Sequence, residues 1–183
     1  LKLTVFQFEG TPEELDASQA VRKLVEQRRD TVAPPAGQLG GVTPVSVPGL
    51  AEEGQETVRG LLRRSPAPEL FIRFMATATA WDNVGVHGIR RKGASQGDPL
   101  DYSRYLRLRK QGSQLGGFAY VYAEYSTINL RLSLDAAALR ELGVTAARVL
   151  TTGHRAYRVS VDLTGETSLD DALRLAELAY DAT

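Results

Sequence analysis

Cysteine is absent from this 183-residue chain, which excludes disulfides, thiolate metal sites and thiol nucleophiles together. Lysine is scarce: four against 18 arginines, with only three isoleucines. That bias is what GC-rich bacterial codon usage produces, so the arginines need not have been chosen for bidentate chemistry. No apolar run reaches the ~18 residues of a membrane-spanning helix, and no signal-like segment opens the chain. The expectation is a soluble, cytoplasmic bacterial protein.

The catalytic motifs are missing as well. No lysine follows a glycine, which excludes a phosphate-cradling P-loop, and no carboxylate stands two residues before a lysine, as a metal-dependent nuclease core would need. The run Gly93-Ala-Ser-Gln-Gly97 falls in an expected loop and not at the strand-to-helix turn of a nucleophile elbow, and no His-Glu-x-x-His pair occurs. His87 and His154, the only histidines, have no carboxylate at metal-ligand spacing and read as loop residues. The acidic pairs Glu13/Glu14, Glu52/Glu53 and Asp170/Asp171 are expected in first helical turns, where they offset the macrodipole. No enzyme, metal or cofactor is implied.

What is present suits a globular chain: 43% apolar and 24% charged residues with zero formal net charge. The charge is unevenly spread. Residues 1–56 carry 5 basic and 9 acidic groups, residues 57–112 carry 11 and 4, and residues 113–183 carry 6 and 9. A basic middle between acidic ends fits either a local polyanion site or internal charge pairing.

Period and punctuation divide the chain into four parts. Residues 1–30 read as a strand (1–8) and a helix opened by Thr11, Pro12 and Glu14. Residues 31–49 hold four prolines and four glycines and read as a linker through which that unit docks. Residues 50–100 predict helices over 51–64 and 68–81, then a loop or small hairpin containing Arg90-Arg91-Lys92. From 101 to 183 the period changes to two. Strands are expected at 105–109, 118–125, 128–134 and 157–163, with a short helix from Asp135 to Gly143 and a final helix capped by Ser168. The whole predicts an α+β protein, an antiparallel sheet flanked by helices.

Two basic elements could meet phosphates: Arg90, Arg91 and Lys92 in the glycine-flanked loop, and Arg104, Arg107, Arg109 and Lys110 along the first strand of the sheet. Alternation places Phe118, Tyr120 and Tyr122 on one face with Arg107, Arg109 and Arg131, the composition of a base-stacking platform. Large rings are costly to leave wet, so the expectation is that helices 51–81 cover this face. The helix pair followed by a basic hairpin also has the order of a winged helix. The residues point to a non-catalytic nucleic-acid-binding protein, DNA ahead of RNA, in regulation or as an accessory to a mobile element or defence system. The alternative is a protein-interaction module that docks a partner or a second copy of itself.

From about 102 to 181 the chain resembles small bacterial domains labelled predicted transport proteins, and the MmcQ/YjbR-like family. The resemblance is carried by Tyr105-Leu-Arg-Leu-Arg, Phe118-Ala-Tyr-Val-Tyr, Ile128-Asn-Leu-Arg-Leu, Gly153-His154 and Asp171-Ala-Leu-Arg-Leu-Ala-Glu-Leu-Ala-Tyr180. It implies a compact α+β fold related to double-wing DNA-binding domains, without established catalytic residues.

Overall fold

A proline-broken pair of helices opens the described part of the chain. The computed structural model describes residues 46–183 apart from Leu115 and His154. The strand and helix expected within 1–30, and the linker as far as residue 45, lie outside the described residues. Helix α1 (Glu52–Leu62) carries Glu52 and Glu53 in its first turn and buries Gly54, Gln55, Val58 and Leu62. Gln55 ties the incoming chain to this helix. Its Nε2 donates to Val47 O (3.0 Å) and Leu50 O (2.9 Å), and its Oε1 accepts from Val47 N (2.9 Å).

Pro68 lacks an N–H and therefore suits the first position of α2 (Pro68–Ala78), whose stripe of Leu70, Phe71, Phe74, Met75 and Ala78 is buried. The helix stops three residues short of the expected Trp81. That ring instead packs on Phe118 and Tyr180, at centroid distances of 5.8 and 5.4 Å.

Six antiparallel strands follow: β1 (Val84–His87), β2 (Leu106–Lys110), β3 (Ala119–Ala123), β4 (Ile128–Leu132), β5 (Ala147–Val149) and β6 (Val159–Asp162), in the spatial order β1-β2-β3-β4-β6-β5. Within the expected loop 82–104, residues 84–87 form an edge strand, so His87 lies in the sheet. Asn83 makes the entry turn at φ 58°, a conformation asparagine tolerates. An isolated bridge between Ile89 and Asp101 closes off residues 90–100.

Helix α3 (Ala136–Leu142) lies between β4 and β5 in the chain. Asp135 caps it by accepting from Ala137 N at 3.0 Å, and Gly143 ends it at φ 64°, as both ends predict. Helix α4 (Glu166–Asp181) begins earlier than expected. Ser168 sits inside its first turn, with its Oγ accepting from Gly165 N (3.0 Å) and Thr164 N (2.8 Å). Asp170 and Asp171 consequently fall beyond the positions that offset the dipole, and Asp171 accepts from Ala146 N instead (3.4 Å).

The α+β expectation is met by this six-stranded antiparallel sheet with helices on it. Leu106, Leu108, Ala119, Val121, Ala123, Ile128, Leu130, Leu132, Val159 and Val161 make one aliphatic face. Helix α1 packs over β3, and α4 lies beside α2 and over β3, β4 and β6. Among the described residues no helix is long and apolar enough to cross a membrane.

Candidate nucleic-acid interface

The opposite face of the sheet carries different chemistry. Register aligns His87, Arg107, Tyr120, Arg131, Ser160 and Arg148 in one row across all six strands. Beside it runs a second row, Tyr122, Asn129 and Asp162. Helices 51–81 do not cover this face, contrary to expectation. They lie on the aliphatic one, where Val58, Leu61 and Phe71 meet Leu106, Val121 and Ala123. The physical reason is that aliphatic side chains have no polar tip to leave in water, whereas tyrosines do. Small residues at 119 and 123 also let the helices approach closely.

Four tyrosines form a continuous run of ring contacts on this face, which no described helix covers. The Tyr157 ring lies 4.2 Å from Tyr120 and 18° from parallel, Tyr105 lies 5.0 Å from Tyr120, and Tyr105 contacts Tyr122 at 5.1 Å. The Arg131 guanidinium sits 4.7 Å over the Tyr122 ring, a cation–π contact. Tyr157 was expected among the valines of its strand. It precedes the start of β6 at Val159 and leaves the alternation, and its hydroxyl donates to Gly117 O at 2.6 Å. Phe118 also departs from expectation: it is fully buried against Trp81 and Tyr180 and does not join Tyr120 and Tyr122.

The arginines of this face are only partly satisfied. Nε of Arg107, Arg131 and Arg158 is buried without a hydrogen-bond partner, and an unsatisfied buried donor calls for a missing water or ligand. Among the described residues no carboxylate lies within ion-pair distance of Arg107, Arg109, Arg131 or Arg158. Gly117 gives Arg107 its place: a Cβ there would stand 2.7 Å from Arg107 Cγ and 2.8 Å from Leu108 O. The acid of the face is engaged. Asp162 pairs with Arg148 and accepts from Asn129 Nδ2 at 2.7 Å. Burial works against its charge, but those bonds hold its carboxyl below the usual range.

His87 is pushed down by burial and then by Arg107 and Arg109, so it stays neutral at pH 7. Burial raises the Tyr122 hydroxyl despite Arg131, and burial with the Tyr120 contact raises Tyr157 further. Tyr122 and Tyr157 therefore remain uncharged acceptor–donor groups at neutral pH.

The sequence-predicted basic residues do not gather in one place. Arg107 and Arg109 stand on the tyrosine face, Arg109 donating to Ser113 O at 3.1 Å. Lys110 turns to the helical side, 4.1 Å over the Tyr180 ring and 3.4 Å from Tyr180 O at the end of α4. Arg104 is exposed just before β2. In the excursion 90–100, Arg90 donates to Ser95 O, Arg91 pairs with Asp101 at 3.1 Å, and Lys92 is exposed. Arg73, the one cation of α2, is paired with Glu166 at 2.5 Å, which leaves a winged-helix recognition surface without a free charge there. Asn129, Arg148, Tyr157, Arg158, Ser160 and Asp162 belong to the face but were not singled out. Period-two parity with Arg131 would have found Asn129, and the Arg158-Ser160-Asp162 alternation carried the same signal.

Comparison of the chain with protein-family models, curated proteins and solved structures gives no match. The tyrosine–arginine face, which no described helix covers, is the most distinctive surface of the sheet.

Proposed function

We propose that this protein binds single-stranded nucleic acid on the tyrosine–arginine face, with DNA the first ligand to test and RNA the second, and catalyses no reaction on it. One observation carries the reading: Tyr105, Tyr120 and Tyr122, joined by ring contacts and flanked by arginines without carboxylate partners among the described residues, lie on a face that no described helix covers. Such a face offers what a single strand needs, flat rings for unstacked bases and cations for its phosphates. Duplex DNA keeps its bases stacked inside and gains nothing from the rings. The excursion 90–100 leaves the sheet at the end nearest Tyr105, where Arg90 and Lys92 can add backbone contacts.

Fluorescence anisotropy with labelled single-stranded and duplex oligonucleotides tests the reading. At about 50 mM salt the single strand binds more tightly, and the affinity falls steeply by about 200 mM. Absence of single-strand binding at low salt refutes it and leaves the face to a protein partner or a second copy. Preference for duplex moves the site to the basic loop.

A further inference from the structure

At the end of the tyrosine face remote from the 90–100 excursion lies a cavity of about 400 Å³ lined by Ser133, Leu134, Asp135, Arg155, Ala156 and Arg158. The ladder between β4 and β6 fixes its relation to the platform. Leu132 pairs with Val159 and Arg131 with Ser160. Ser133 and Arg158 are the next residues beyond those strand ends, and both line the cavity. The cavity is the continuation of that face, bounded where α3 and the chain before β6 rise beside it.

We propose that this cavity takes a terminal phosphate of the strand bound on the tyrosines, a proposal that rests on the single-strand reading above. Two guanidiniums line it, and among the described residues neither has a carboxylate within ion-pair distance. Arg158 Nε is buried and lacks a hydrogen-bond partner, so a donor waits for an acceptor oxygen. The one acid in the lining, Asp135, spends its Oδ1 on Ala137 N at 3.0 Å as the cap of α3. Ser133 lines the same wall and offers a hydroxyl to a third oxygen. A doubly charged terminal phosphate matches the two guanidiniums that line the cavity. An internal phosphodiester carries about half that charge.

The test compares short single-stranded oligonucleotides that differ only in one end: 5′-phosphate, 5′-hydroxyl, 3′-phosphate and 3′-hydroxyl, each labelled at the other end. Anisotropy should show one phosphorylated end binding about tenfold more tightly than its hydroxyl counterpart. Arg155→Gln, at an exposed position, should remove that preference while leaving affinity for the hydroxyl strands unchanged, whereas Arg158→Gln should remove it and weaken the binding of every strand as well. Millimolar inorganic phosphate should compete away the increment alone. Equal binding of all four strands overturns the end-phosphate proposal and leaves the sheet-face reading standing. Binding of no strand removes both. Binding of inorganic phosphate with no strand assigns the cavity to a free phosphorylated ligand and overturns the strand-end proposal. Arg155→Gln keeps the test open should Arg158→Gln fail to fold.

Discussion

Salt dependence follows numerically from the arginines of the tyrosine face. Four of them, Arg107, Arg109, Arg131 and Arg158, have no carboxylate partner among the described residues, whereas Arg148 is neutralised by Asp162. Each phosphate neutralised on a single strand contributes about −0.7 to the slope of log K against log salt, so four contacts give about −3. Between about 50 and about 200 mM salt the affinity should then fall about 50-fold. Arg131→Gln keeps a stem over Tyr122 but removes one charge, and should reduce the slope by about 0.7. Arg73→Gln provides the control, because Arg73 is already paired with Glu166 on the solvent side of α2 and should leave the slope unchanged. Anisotropy titrations at four salt concentrations for the three proteins measure these slopes. A flat slope, or equal reductions in both variants, would refute the assignment of phosphate contacts to this face.

Three further outcomes concern the scaffold and its charges. Phe118→Ala removes a fully buried ring that touches Trp81 and Tyr180; it should cost about 4 kcal/mol and lower the Tm by about 10 °C, read by Trp81 fluorescence during thermal unfolding. Gln55→Ala leaves Val47 N–H and the Val47 and Leu50 carbonyls without their partner, and denaturant unfolding should show a loss of about 3 kcal/mol. Asp101 is lowered to about 2 by its side-chain and backbone bonds from Ser103, with Arg91 adding to them. A carboxyl depressed in the folded state stabilises fully above its ordinary value and loses that contribution as pH falls toward 2. Asp101→Asn should therefore destabilise at pH 7 and flatten the decline below about pH 4 in acid unfolding.

Local signals carried much of the fold. The apolar stripe of α2, the Asp135 and Gly143 boundaries of α3, and the alternation in β2 and β4 are all set by neighbours a few residues away, and the structure keeps them. β5 escaped because three residues, Ala147–Val149, are too few to display a period. β1 escaped because Val-Gly-Val-His gives no clear strand pattern, and its pairing with Lys110 to Arg107 is supplied from 20 to 26 residues away. The side of the sheet that receives the helices is likewise decided at long range. Alternation sorts Tyr120 from Val121, yet both faces of β3 look apolar, and only the complete aliphatic surface of β2, β3, β4 and β6 shows which one demands cover. Tyr157 could not be placed by parity because it lies outside the ladder that parity describes. Lys110 and Arg109 are adjacent, but the strand sends one to Tyr180 and the other to the tyrosine face.

Backbone amide NMR during titration with a short single-stranded oligonucleotide is the most direct measurement of where that ligand sits. Binding on the tyrosine face predicts shift changes at Tyr105, Arg107, Tyr120, Tyr122 and Arg131, with α1, α2 and α4 left nearly unchanged. Changes confined to residues 90–100 or to the helices, or no change at saturating oligonucleotide, would contradict it.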